Sequence, residues 1–143
     1  AVSADYWFDR ANNYEEWGLR PDSAIWAYGV ALEKDPKMAK AYGQMGRVYG
    51  MQLRDYDHAV EFGEKALTID PELDWVYENV GIANAMQNDF PGAIVAFQRG
   101  LQLFPKSAKL YLNLALTYQN MGDQVNAGAA FAKAFELDPS LKR

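Results

Sequence analysis

An aromatic residue followed four positions later by a small one recurs four times: Trp7 with Ala11, Tyr42 with Gly46, Tyr77 with Gly81, and Tyr111 with Ala115. Three positions further on come Tyr14, Tyr49, Asn84 and Tyr118. Spacings of four, three and seven fall on one stripe of an α-helix, so each set predicts an amphipathic helix. A second stripe follows each first: Ala24-Tyr28-Ala31, Ala59-Gly63-Ala66, Ala93-Phe97-Gly100 and Ala127-Phe131-Ala134. The pattern therefore predicts helices in pairs. Small residues let two helix backbones approach, and the aromatics fill the space beside them with large apolar area.

Each pair closes at a proline: Pro36, Pro71, Pro105 and Pro139, spaced by 35, 34 and 34 residues. A fixed period of this length marks an array of one supersecondary unit. The residue before proline is biased away from the helical region, and proline suits the start of the next helix. Asp35-Pro36, Asp70-Pro71 and Asp138-Pro139 thus read as helix ends, with Phe104-Pro105 as the variant. Breaker residues also separate the two helices of each pair: Arg20-Pro21-Asp22-Ser23, Arg54-Asp55-Tyr56-Asp57, Asn88-Asp89-Phe90-Pro91 and Met121-Gly122-Asp123. Aspartate or serine in these turns is expected to cap the second helix.

Taken together these positions resemble the tetratricopeptide repeat, whose pattern is W-x2-L-G-x2-Y followed by A-x3-F-x2-A-x4-P. The last repeat carries it most fully, with Tyr111, Leu114, Ala115, Tyr118, Ala127, Phe131, Ala134 and Pro139. The resemblance implies an all-α fold, a right-handed α-solenoid of antiparallel helix pairs. It covers 1–143 as a single array, with repeats near 4–36, 37–71, 72–105 and 106–139. The first two repeats need one extra residue in the inner turn. Asn84 replaces the usual tyrosine, and Gly63 stands where a bulky aromatic is usual, so a neighbour must fill that space.

Composition narrows the function. Half of the 143 residues are hydrophobic and 14% aromatic, enough for a continuous core. No apolar run nears about 18 residues, so direct membrane insertion is not expected. Nineteen acidic against 14 basic residues leave a net charge of −5, against a nucleic-acid surface, which needs clustered lysine and arginine. Cysteine is absent, which excludes disulfides and thiol chemistry. The single histidine, His58, reads as a surface residue, and no ligand cluster predicts a metal or other cofactor. No nucleophile system is present either, so an enzyme is not expected. The opening Ala1-Val2-Ser3-Ala4 is compatible with the remnant of a cleaved export signal, which would place the chain in a periplasm, so the location stays open between periplasm and cytoplasm. Arrays end on a polar capping element, and none follows Pro139, so a longer protein or a partner over the last face is expected.

The resemblance also implies where a partner binds. In the family, the first helix of each repeat lines a concave face. The positions carried over are Asp5, Phe8, Asn12 and Glu15; Lys40, Gly43, Arg47 and Gly50; Trp75, Glu78, Ile82 and Ala85; and Lys109, Leu112, Leu116 and Gln119. One further position adds Asp9, Gln44, Asn79 and Asn113. This implies a graded groove, acidic at its first end, basic at Lys40 and Arg47, and apolar around Trp75, Ile82, Leu112 and Leu116. The clamp that some family members close on chaperone C-termini would need five matching residues. Among Gly43, Arg47, Asn79, Lys109 and Asn113 only Asn79 and Lys109 match, and one repeat earlier only Asn12 does, so no such clamp is expected. Trp7, Tyr42, Tyr77 and Tyr111 read as core, Trp26, Tyr28 and Phe97 as inter-helix packing, and Trp17 as folding back over the first pair.

Three readings stay open. The first is an adaptor holding a peptide or helix of a protein partner in the groove. The second is a scaffold that forms a homo-oligomer through its last helix pair. The third is RNA binding by a related helical repeat, which the acidic balance opposes.

Overall fold

The computed structural model describes residues 2–16 and 20–142. They form eight α-helices and a short 3-10 turn: α1 Ala4–Glu16, α2 Pro21–Lys34, α3 Ala39–Met51, α4 Tyr56–Ile69, α5 Asp74–Met86, α6 Phe90–Leu103, α7 Ala108–Asn120, α8 Gln124–Leu137, and Pro139–Leu141. The chain is all-α, a solenoid fold of helix pairs. Two compact units are present, Ala1–Asn79 and Val80–Arg143, with α5 contributing its first half to one and its second half to the other. No helix among the described residues is long and apolar enough to cross a membrane.

The turns follow the chemistry read from the sequence. Asp55, Asp89 and Asp123 occupy the N-caps of α4, α6 and α8, each accepting from the backbone N–H three residues on. That bond satisfies one of the donors a helix start leaves unpaired. The backbone N–H of His58 holds the Asp55 carboxyl below its ordinary pKa, and that of Asn126 does the same for Asp123. We expect Asp89→Ala to lower unfolding stability by about 1 kcal/mol in a denaturant titration; no loss would mean the cap is idle. The residue before each of these caps has a positive φ: Arg54 at 54°, Asn88 at 61° and Gly122 at 80°. Glycine takes that conformation at no steric cost and asparagine tolerates it, whereas arginine is held there by the turn. Asp35, Asp70 and Asp138 end their helices in extended backbone and accept from the N–H two residues on.

The first inner turn differs. Arg20, not Asp22 or Ser23, is the N-cap of α2, with Pro21 beginning the helix and no side-chain cap bond. Asp22 pairs with Arg20 at 2.9 Å instead. The extra residue of the second repeat is absorbed in the turn between Met51 and Tyr56. The corresponding turn of the first repeat, with Trp17, lies outside the described residues.

In the first unit α1 packs on α2, α2 on α3, and α3 on α4. Tyr28, Ala31, Ala41, Met45 and Val48 share one buried cluster. Gly63 is compensated by its neighbour. The Phe62 ring stacks between Tyr42 and Tyr49, at centroid distances of 6.2 and 5.5 Å. Meanwhile a Cβ on Gly46 would lie 3.0 Å from the Ala59 carbonyl oxygen and 3.2 Å from the Gly63 nitrogen. The aromatic has moved one position along α4, and two glycines bring α3 and α4 into backbone contact. In the second unit α6 packs on α7 and α7 on α8. Phe97 lies over Gly81, where any Cβ would collide with its ring.

Candidate functional site

The expected groove positions fall on α1, α3, α5 and α7, and the structure treats them differently. In the first unit most are tied into the protein. Phe8 is buried in the core cluster beside Tyr28, at 5.7 Å between ring centroids, and the Lys40 ammonium sits 4.5 Å from its ring centroid. Lys40 also lies 3.8 Å from Asp5, an exposed pair of little energetic weight. Trp75 is half-buried because its ring rests on Gly43, where a Cβ would stand 2.5 Å from Cη2.

Arg47 is the largest departure from the expected free basic centre. Its Nη2 donates to Glu15 Oε1 at 2.8 Å, and its Nε donates to Gln44 Oε1 at 2.8 Å. The Glu15 side chain is only 9% exposed. Its second oxygen accepts from the Tyr28 hydroxyl at 2.6 Å. That hydroxyl also lies 2.5 Å from the Asn12 amide oxygen. One hydroxyl carries one proton, so Asn12 serves better with its amide turned to donate to the phenol. Burial, reinforced by Glu15, pushes the Tyr28 phenol well above its ordinary pKa, so it remains a donor. The result is a polar network across α1, α2 and α3 in which the acidic end and the basic middle neutralise each other. No buried side-chain nitrogen or oxygen among the described residues lacks a partner.

Glu78 and Asn79 are half-buried on α5. In the second unit several of these positions are open. Ile82 is 39% exposed on α5 and Leu116 is 42% exposed on α7. Leu112 and Asn113 are half-buried, and Lys109 is exposed. Asn12, Arg47, Ile82 and Leu116 occupy the same position of successive repeats. That position thus runs from bonded polar groups in the first unit to uncovered apolar groups in the second.

Sequence reasoning missed three features. Trp26 packs between α1 and α2 as expected, meeting Trp7 edge-on at 5.2 Å, but the sequence gave no sign that it stays 57% exposed. Glu15 was placed in the groove but works as the acceptor of a buried network. His58 is exposed as expected, yet it stacks on Tyr49 at 4.9 Å and lies 2.6 Å from Asp55. Among the described residues no group of three histidine, cysteine or carboxylate side chains gathers that could hold a metal ion.

Comparison with known proteins agrees with the fold. A model of the tetratricopeptide repeat matches residues 39–73 and 108–141, and another, described as TPR repeat, matches 85–122; together they cover more than half of the chain. The general transcriptional corepressor ssn6 of Schizosaccharomyces pombe is 26% identical over 124 residues, covering 85% of this chain and 11% of that one. The mitochondrial import receptor subunit TOM70 of Homo sapiens is 27% identical over 112 residues, covering 78% of this chain and 18% of the receptor. A solved structure of MamA (AMB-1) superposes with a TM-score of 0.84 at 28% identity, over 98% of this chain and 82% of MamA. The chain spans only about a tenth to a third of the length of the curated relatives it matches.

Proposed function

Because the chain belongs to the tetratricopeptide repeat family, we propose that it is a non-catalytic adaptor that holds a peptide or helix of a protein partner on its first helices. The observation that carries this reading is the exposure of Ile82 and Leu116 at a repeat position whose earlier members, Asn12 and Arg47, are bonded. Apolar area left in water is recovered when a partner covers it, at about 25 cal/mol per Å². Ile82, Leu112 and Leu116 are the apolar anchors. Lys109 and Asn113 supply polar contacts beside them. Within the first unit, by contrast, Arg47 is bonded to Glu15 and Gln44 instead of standing as a free charge. The partner segment is therefore selected by apolar side chains more than by charge. The relatives' names describe a corepressor and an import receptor subunit; what this chain shares with them, on this reading, is a protein partner.

Ile82→Glu combined with Leu116→Glu tests it. Both residues lie on exposed helix surface, so helicity should be unchanged. Each anchor of this kind is worth more than about 1 kcal/mol, so partner capture should fall on the order of 10-fold to 100-fold. Equal capture by the variant, at equal helicity, would remove α5 and α7 from the binding surface.

A further inference from the structure

Cysteine is absent from the chain, so its sulfur chemistry lies entirely in five methionines. The structure divides them. Met38 and Met45 are buried and belong to the core cluster of the first unit. Met51, Met86 and Met121 are exposed, to 71%, 57% and 46%. Methionine is among the residue types most often buried, so three in water at matching places need an explanation. Met51 is the last residue of α3, Met86 the last of α5, and Met121 the C-cap of α7. They are spaced by 35 residues. Since α5 has a first helix on either side of it in sequence, α3 and α7, Met86 is exposed by the turn it leads into and not by the limits of the chain.

Oxidation at these places leaves the fold alone. Met51 is followed by Gln52, Leu53 and Arg54, and Met86 by Gln87, Asn88 and Asp89, all exposed. A sulfoxide there displaces no core side chain, whereas at Met38 or Met45 it would set a polar S=O among Tyr28, Ala41 and Val48. Met86 differs from the other two in what it adjoins. It stands one helical turn after Ile82, and residues four apart share a helix face. Its thioether extends the exposed apolar stretch that Ile82 begins, with the adaptability that suits methionine to partner surfaces. Met51 stands one turn after Arg47, which is bonded to Glu15 and Gln44. On α7 the residue one turn after Leu116 is Asn120, so Met121 falls off that face.

We propose that Met86 is a peroxide-sensitive site that turns partner binding down: its thioether is oxidised to the sulfoxide, and the apolar α5 face becomes polar. This rests on the adaptor reading above. In the step the O–O bond of hydrogen peroxide breaks, one oxygen forms a bond to the sulfur, and the other leaves as water. The sulfur loses two electrons and the peroxide gains them. Methionine sulfoxide reductases reverse the change, so the site acts as a switch and not only as damage.

The test treats the chain with hydrogen peroxide, removes the peroxide and immobilises the product. The probe is the set of proteins that the untreated chain retains from a lysate of its source cells. Peptide mass spectrometry should find one added oxygen on Met51, Met86 and Met121 before Met38 and Met45, at unchanged helicity. Retention should fall about 5-fold, the effect of losing one modest contact residue, and return after treatment with the reductase. Peroxide should no longer lower retention in Met86→Leu, which has no sulfur there, and should still lower it in Met51→Leu and Met121→Leu. Three results would overturn the proposal: Met86 spared while Met38 or Met45 reacts, retention that peroxide leaves unchanged, or a loss that persists in Met86→Leu. If Ile82→Glu with Leu116→Glu abolishes retention and peroxide does not lower it, the redox site fails alone. A chain that retains nothing, or whose retention that pair leaves unchanged, overturns the adaptor reading and this site together.

Discussion

Replacing Gly63 with phenylalanine, the residue type the repeat pattern favours there, should destabilise the protein by about 3 kcal/mol, at the upper end of what overpacking costs. That corresponds to a fall of roughly 10 °C in Tm. The reason is the distance between α3 and α4. The Gly63 nitrogen lies 3.2 Å from where a Cβ on Gly46 would stand, and the nearest atom there, the Ala59 carbonyl oxygen, is also backbone. The Gly63 backbone is thus part of the close approach of α3 and α4, and a large side chain there is expected to force the two helices apart. The volume a phenylalanine would supply is already supplied by Phe62, stacked within 9° of the Tyr49 plane and 18° of the Tyr42 plane. Combining Gly63→Phe with Phe62→Ala should therefore fail to restore stability. Thermal unfolding decides it: a Gly63→Phe variant as stable as the parent would mean the pair tolerates the usual spacing.

Arg47→Met should cost about 2 kcal/mol, because it leaves the Glu15 carboxylate largely buried with only the Tyr28 hydroxyl to compensate it. The figure is below that of a fully buried pair, since the Arg47 side chain is 33% exposed and water reaches it. Adding Glu15→Gln removes the stranded charge, and the double variant should return to within about 1 kcal/mol of the parent. Chemical denaturation of the parent, both single variants and the double variant measures the coupling directly. Additive losses would show that Glu15 and Arg47 stabilise the fold independently.

The fold was legible because the repeat writes the same message four times. Aromatic and small residues at fixed spacing set the helix stripes, and Asp35, Asp70 and Asp138 before prolines set their ends. The capping aspartates of α4, α6 and α8 were legible for the same reason, since a turn residue acts locally. What escaped depends on contacts between elements that leave no period in the sequence. Glu15, Tyr28 and Arg47 come from three helices, and only packing brings them together. Phe62 adjoins Gly63, and that adjacency was the one available sign that the aromatic had moved by one residue. Trp26 does pack between helices, meeting Trp7 of α1 at right angles, but its size and apolar character gave no sign that more than half of it stays in water. Of the expected groove, the open character of Ile82 and Leu116 was legible, while the neutralisation of Arg47 and the burial of Phe8 were not.

Hydrogen–deuterium exchange of the chain with and without a captured partner tests the adaptor reading most directly. Residues 74–86 and 108–120, the first helices carrying Ile82, Leu112 and Leu116, should gain protection on binding. The second helices at 90–103 and 124–137 should exchange as before. Protection confined to the second helices, with 74–86 and 108–120 unchanged, would contradict the assignment of partner binding to the first-helix faces.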